Sequence, residues 1–301
     1  MFFPLAIAGL SANARLYAIW NDGAAHPGPD TSPAHPNEQA FLPGWPVPMQ
    51  MIIAGVLPLI GNGVNAQAAI GNIDGDPAPE ILASSSAGPM YAFDTDGKTV
   101  RGRELNLPIA LDWLGRPYGA NSNSRDGGII AAAFGGPALG DIQRDGRLDV
   151  ATPTIGLVRA LDQLLPGLQP GDTQLMAWNA GDGTALPGFP HQTRDLGFFI
   201  TPAIADVNAD GAQEVVASHG VSLLDAVNAQ GVDALGWPKL TGGWAVGTPG
   251  FGDRNGDGKA EVAITRRDGV LMTWNLPTRT TALGDWLRFG GNGRNSGSVG
   301  R

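Results

Sequence analysis

No cysteine occurs in the 301 residues, which removes disulfides, thiol redox chemistry and thiolate metal sites from consideration. Charge is also sparse, at 16% of residues. The 19 basic residues are scattered against 28 acids, for a net charge of -9. Phosphate backbones demand clustered Lys and Arg, so a nucleic-acid partner is not expected. No apolar run reaches the roughly 18 residues of a membrane helix, and no membrane span is expected. Signatures of catalysis are missing too. Four histidines, His26, His35, His191 and His219, form no H-E-x-x-H or comparable pair. No G-x-S-x-G elbow occurs, and "GNGRNSG" at 291 lacks the strand and helix context of a phosphate loop.

Glycine and proline are abundant instead, 45 and 24 residues, without collagen periodicity. That composition fits many short strands joined by turns, and 43% hydrophobic residues supply a core, against global disorder. The length holds one large all-β domain or two smaller ones.

One motif recurs four times in register. It reads "GNIDGDPAPEI" from Gly71, "GDIQRDGRLDV" from Gly140, "ADVNADGAQEV" from Ala205 and "GDRNGDGKAEV" from Gly252. A hard cation such as Ca2+ takes six to eight oxygen ligands. A chain wrapping one ion turns alternate side chains inward, so positions 1, 3 and 5 converge and position 9 closes the shell. The first loop offers Asn72, Asp74, Asp76 and Glu80; the second Asp141, Gln143, Asp145 and Asp149. The third offers Asp206, Asn208, Asp210 and Glu214, and the fourth Asp253, Asn255, Asp257 and Glu261. Each set holds three carboxylates, which repel one another when no cation is bound. Up to four Ca2+ ions are therefore expected. The first loop departs from the pattern, with Asn72 at position 1 and Pro77 where the others have Gly146, Gly211 and Gly258. In the second, Gln143 is long and Arg144 and Arg147 stand close, which predicts a weak site. Asp, Asn and Gly are also ordinary turn residues, so an ion-free Asx turn is the competing reading. The loops are not of EF-hand type, which has twelve residues between two helices. These end at position 9 and run into β-prone stretches, "EILAS", "DVATP", "EVVAS" and "EVAIT".

After each loop and strand comes a second apolar segment ending in a turn: "MYAFDTDG" at 90, "LMAWNAGDG" at 175, "LLDAVNAQG" at 223 and "LMTWNLPT" at 271. Such turns signal hairpins. Then follow "LPGFP" at 186 and "LGWPK" at 235, matched upstream by "LYAIWNDG" and "LPGWP" at 42. Four short strands per unit of about 45 residues, with variable insertions, describe a propeller blade. The expected fold is an all-β, single β-propeller domain over 1–301 with about five blades: a partial one over 1–60, then 61–126, 127–197, 198–243 and 244–301. Trp20, Trp178 and Trp274 recur at one place in the unit, which predicts packing between blades. "MFFPLAIAGLSANA" lacks the positive start of a signal peptide, and its parallel with "EILASSSAGPM" reads as a strand. On that reading the chain enters partway through a repeat.

The four D-x-[DN]-x-D-G-x-x-[DE]-like loops, with "FGGPALGD" at 134 and "TPGFGD" at 248, resemble the FG-GAP or VCBS repeat family. Its calcium-binding blades form the head of integrin alpha subunits and many bacterial surface and secreted proteins. The resemblance covers most of the chain and implies that the loop side chains above bind Ca2+. It also implies a ring of six to eight blades, of which five would be a fragment or a small variant. The tail "DWLRFGGNGRNSGSVG" is similar to tails that follow the last such repeat in bacterial proteins.

Calcium acts here as a folding device, because a nine-residue wrap fills the coordination sphere and leaves no open position. The expected function is a calcium-stabilised binding or adhesion module, extracellular, at the cell surface or periplasmic, where weak oxygen sites fill. Protein or carbohydrate would bind on the insertions 24–41, 103–126 and 156–174, with Trp113, Arg116, Tyr118 and Arg159 as contacts. "ALDQLLPGLQPGD" at 160 fits a short helix. The alternative is a polysaccharide lyase on the same scaffold, which requires an acid–base cluster that the sequence does not name.

Overall fold

The computed structural model describes residues 14–20, 41–49, 64, 66–84, 90–98, 100, 131–133, 135–156, 173–181, 183–194, 197, 200–220 and 222–299. Every regular element among them is a strand except one 3-10 turn at Thr280–Ala282. Among the described residues no helix is long and apolar enough to cross a membrane. The insertion contacts Trp113, Arg116, Tyr118 and Arg159, the histidines His26 and His35, and the helix expected at 160 lie outside the described residues.

The strands form one ribbon and four antiparallel sheets. β1 (Ala14–Leu16) and β2 (Val47–Met49) make the ribbon. Sheet I holds β3 (Ala69–Gly71), β4 (Glu80–Ser84) and β5 (Met90–Phe93). Sheet II holds β6 (Ala131–Ala133), β7 (Ala138–Gly140), β8 (Asp149–Gly156), β9 (Thr173–Asn179) and β10 (His191–Gln192). Sheet III holds β11 (Ala203–Ala205), β12 (Glu214–His219), β13 (Leu223–Val227) and β14 (Lys239–Leu240). Sheet IV holds β15 (Gly250–Gly252), β16 (Lys259–Thr265) and β17 (Leu271–Arg279). Four strands per unit are thus present in sheet III, whereas sheets I and IV show three.

The register repeats from sheet to sheet. The residue before position 1 of each loop pairs with position 9: Gly71 with Glu80, Gly140 with Asp149, Ala205 with Glu214 and Gly252 with Glu261. The next residue pairs with the third strand, Ile81 with Phe93, Val150 with Trp178, Val215 with Val227 and Val262 with Trp274. A strand period of two fixes which face each side chain takes, so equal spacing in the sequence becomes an equal place in each sheet. A further repeat is the cis peptide before Pro46, Pro190 and Pro238, in "GWP", "GFP" and "GWP".

The sheets pack in series. Leu82 of sheet I, Leu139, Val150 and Trp178 of sheet II, and Ile204 and Val215 of sheet III share one core. Val216 and Leu224 of sheet III meet Phe251 and Val262 of sheet IV in another. Each fully buried aliphatic side chain contributes about 1.5–3 kcal/mol, so the second strands, covered on both faces, read as nearly continuous apolar runs. The ribbon joins sheet I through Trp45, which packs edge-on to Phe93 and donates from Nε1 to Thr95 O at 2.8 Å. The first strands β3, β7 and β11 lie side by side. Between them the glycines of "FGGPALGD" are required by space: a Cβ on Gly135 would stand 1.8 Å from Ile200 O. Its carbonyl accepts from Ser84 Oγ of sheet I at 2.9 Å and Thr152 Oγ1 of sheet II at 3.1 Å. Trp178 is buried in the core, and Trp20 and Trp274 are half-buried.

Four candidate metal loops

Positions 1, 3 and 5 of the predicted ligand sets lie in the connections β3–β4, β7–β8, β11–β12 and β15–β16, and position 9, Glu80, Asp149, Glu214 and Glu261, lies on the strand that follows. The connections share one internal geometry. Position 1 accepts backbone N–H groups of its own loop: Asn72 Oδ1 from Gly75 at 2.8 Å, Asp141 Oδ1 from Asp145 at 2.9 Å, Asp206 Oδ1 from Ala209 at 2.7 Å and Asp253 Oδ1 from Gly256 at 2.6 Å. Position 5 accepts from position 7: Asp76 from Ala78, Asp145 from Arg147, Asp210 from Ala212 and Asp257 from Lys259. Position 9 reaches back from the second strand to position 2, so that Ile73, Ile142, Val207 and Arg254 donate to Glu80, Asp149, Glu214 and Glu261 at 2.6, 3.0, 3.0 and 2.6 Å.

The wrap needs left-handed backbone at position 4, where φ is +88° at Gly75, +61° at Arg144, +65° at Ala209 and +80° at Gly256. At position 6, Gly146, Gly211 and Gly258 also have positive φ, and each donates N–H to the second oxygen of the position 1 Asp, at 3.0, 2.9 and 2.8 Å. Pro77 has neither that conformation nor an N–H. Asn72, at position 1 of the same loop, instead donates from Nδ2 to Asp76 O.

Position 9 is buried in every loop, and position 1 is buried as well in the second and third, where Asp141 and Asp206 are 8% and 3% exposed. Glu80, Asp149 and Glu214 are 0% exposed and Glu261 is 3% exposed. Burial pushes the Asp149 and Glu214 carboxyls up to about 7, and the neighbouring Asp145 and Asp141, or Asp210 and Asp206, add to the rise. Glu80 is raised by burial and by Asp74, Asp76 and Asp94. At the exposed position 1 of the fourth loop, backbone N–H groups, Gly258 foremost, hold Asp253 below the usual range. Asp145 is lowered by Arg147, whose Nε and Nη2 donate to Oδ2 at 3.0 and 2.7 Å.

Position 3 separates the loops into two kinds. Gln143 Nε2 donates to Asp149 Oδ1 at 3.5 Å, Asn208 Nδ2 to Glu214 Oε1 at 3.3 Å and Asn255 Nδ2 to Glu261 Oε1 at 2.9 Å. The first loop has Asp74 there, with no amide to give. Its Glu80 Oε1 is buried without a hydrogen-bond partner, and oxygens of Asp74, Asp76 and Glu80 lie within 4.8 Å of one another. A buried acceptor left unpaired costs about 1–3 kcal/mol, and a cation at this point would satisfy it.

Sequence reasoning missed the buried His219–Asp225 pair, 2% and 6% exposed, with Nε2 and Oδ2 2.8 Å apart across the β12–β13 hairpin. Six residues of separation carry no local signal of it. His191 lies with Nδ1 3.2 Å from Gly231 O.

No family model matches the sequence, and no curated protein matches it. Among solved structures the chain is similar to the computationally designed Ika4 protein, at 11% identity and a TM-score of 0.38, over 71% of this chain and 92% of that one. It is similar to the V. cholerae biofilm matrix protein Bap1 at 20% identity and 0.37, over 74% of this chain and 32% of that one. It is similar to BamB from Moraxella catarrhalis at 15% identity and 0.31, over 77% and 64%. The chain thus spans about a third of Bap1. Scores this low assign no function to this chain.

Proposed function

We propose that the chain is a calcium-stabilised β-propeller of the FG-GAP or VCBS kind, acting outside the cytosol as a binding or adhesion module for protein or glycan. The observation that carries the metal part is the first loop: three carboxylates converge there, and Glu80 Oε1 is sealed from water with no donor. A divalent cation supplies the missing charge, and Asn72, Asp74, Asp76 and Glu80 provide oxygens for it. In the other loops, side chains at positions 1, 3, 5 and 9 do the same once the position 3 amide turns its oxygen inward. Bound ions would tie the first strand of a sheet to the second, so binding energy becomes folding energy. In sheet II the Arg147–Asp145 pair competes with the ion and weakens that site.

The binding part rests on the insertions 24–41, 103–126 and 156–174, which vary on a repeated scaffold. The polysaccharide lyase gains no support from His219 and Asp225, since both are closed to a substrate. Calorimetric titration with calcium, with melting in calcium and in chelator, tests the proposal on the wild-type protein and on Asp257→Ala. Several binding events with a higher melting temperature, both reduced in the variant, are expected. No heat and no shift would make the four loops Asx turns.

A further inference from the structure

The C-terminal segment does not leave the molecule after β17. Thr280 N donates to Gly258 O at 3.2 Å, and the chain then returns along the first strands of sheets III, IV and I and past the loop that follows β7 in sheet II. In sheet IV, Phe251 N donates to Leu287 O at 2.9 Å. In sheet III, Ile204 N donates to Trp286 O at 2.8 Å, Trp286 N donates back to Ile204 O at 3.2 Å, and Asp206 N donates to Leu283 O at 2.7 Å. In sheet II, Asp141 N donates to Asp285 Oδ2 at 3.1 Å. In sheet I, Ile70 N donates to Gly297 O at 2.5 Å and Val299 N to Ile70 O at 3.0 Å, with Ile70 and Ser298 bridged in parallel.

These contacts fall on edges that need partners. A first strand has a neighbour on one side only, and an edge N–H buried without an acceptor costs free energy. Ile204 is 0% exposed, so water cannot serve its N–H. The segment is fitted to the task at several points. Trp286 is buried in the core shared by sheets I to III. A Cβ on Gly284 would stand 2.7 Å from Ile204 O, and one on Gly297, at φ +65°, 2.8 Å from Ala68 O.

Asp285 holds a special place. Its Oδ2 accepts from the backbone of Asp141, position 1 of the second loop, and from Gln213 Nε2 of the third loop at 2.8 Å. Gln213 Oε1 in turn accepts from Asp285 N at 2.9 Å. Asp206, position 1 of the third loop, is held by Leu283 O. The same segment therefore fixes the start of two candidate metal loops.

We propose that residues 283–299 are an axial strap, a shared edge strand that locks the inner edges of the four sheets together and couples them to the second and third loops through Asp285. Docking of the strap and filling of these two loops then favour each other by the same factor. The coupling half rests on the calcium reading above; the strap half does not.

Hydrogen exchange of the full chain in chelator separates the two. Gly297→Ala disturbs the strap at its sheet I end only. If the strap docks as a unit, the amides of Ile204 and Phe251, on sheets III and IV, exchange about tenfold faster in this variant. Faster exchange at Ile70 alone would overturn the strap. Should Gly297→Ala fail to fold, Asp285→Asn, which keeps the side-chain size and acts at sheets II and III, is read at Ile70 and Phe251: faster exchange at both supports the strap, and unchanged exchange at either one overturns it. Calcium titration of Asp285→Ala then tests the coupling: two of the sites should weaken about tenfold while the first loop keeps its affinity. Equal affinities in variant and wild type would overturn the coupling. A wild-type protein that takes no calcium would sink the metal reading and the coupling, while the exchange result still decides the strap.

Discussion

Asn255 donates from its amide to Glu261 Oε1 at 2.9 Å, six positions along the chain, and so partners the buried end of its own loop. The first loop has Asp74 in the equivalent place and leaves Glu80 Oε1 without a donor. This contrast predicts opposite responses to one substitution. Asp74→Asn supplies the amide and removes a charge, so it should raise stability in chelator by about 1 kcal/mol. It should also weaken calcium binding at that loop. Chemical denaturation in chelator and calorimetry in calcium check the two halves, and a loss of stability in chelator would count against the comparison of loops.

The pH dependence without calcium follows from Asp149 and Glu214. Their folded values, about 7, stand above the ordinary 3.8 and 4.5, so in that window the folded protein holds more protons than the unfolded chain. Their contribution is fully present below the ordinary values and is lost as pH rises through about 7. Melting in chelator should therefore show a downward slope from these groups, reduced in Asp149→Asn with Glu214→Gln. In calcium the ion takes the place of the protons, and the stabilisation it gives should grow with pH.

Two glycines should respond differently to alanine. At Gly135 the new Cβ would meet Ile200 O at 1.8 Å, a backbone atom that cannot swing aside as the end of a side chain would, so Gly135→Ala should cost about 3 kcal/mol. Around Gly256 nothing lies within 4 Å, and only its φ of +80° opposes the change. Gly256→Ala should cost about 1–2 kcal/mol. Urea denaturation of both decides, and equal costs would contradict the close packing at Gly135.

Trp178 and Trp274 occupy the same register but not the same depth. Trp178 is 1% exposed and enclosed by sheets I to III, and Trp178→Ala should cost about 3–5 kcal/mol. Trp274 packs partly buried against the core of sheets III and IV, and its replacement by alanine should cost about 1–2 kcal/mol. Thermal melting gives the order.

The sequence by itself determined the loop spacing, the strands on either side and the alternation within them. These features are local: a period of two and a run of turn residues act over fewer than about ten positions. For that reason a nine-position loop running into a strand could be read from "GNIDGDPAPE" and its repeats, whereas the pairing of Gly71 with Glu80 and its three counterparts came with the structure. Only the tertiary structure decided that the position 9 carboxyl is buried in all four loops while position 1 is buried in the second and third alone. It set the left-handed backbone at Arg144 and Ala209, residues that do not announce it as glycine would. It joined His219 to Asp225 and brought Asp285 onto Asp141, 144 residues away. Contacts of that kind depend on how whole sheets stack, and stacking answers to the sum of buried surface across the chain, which leaves no pattern within any one segment.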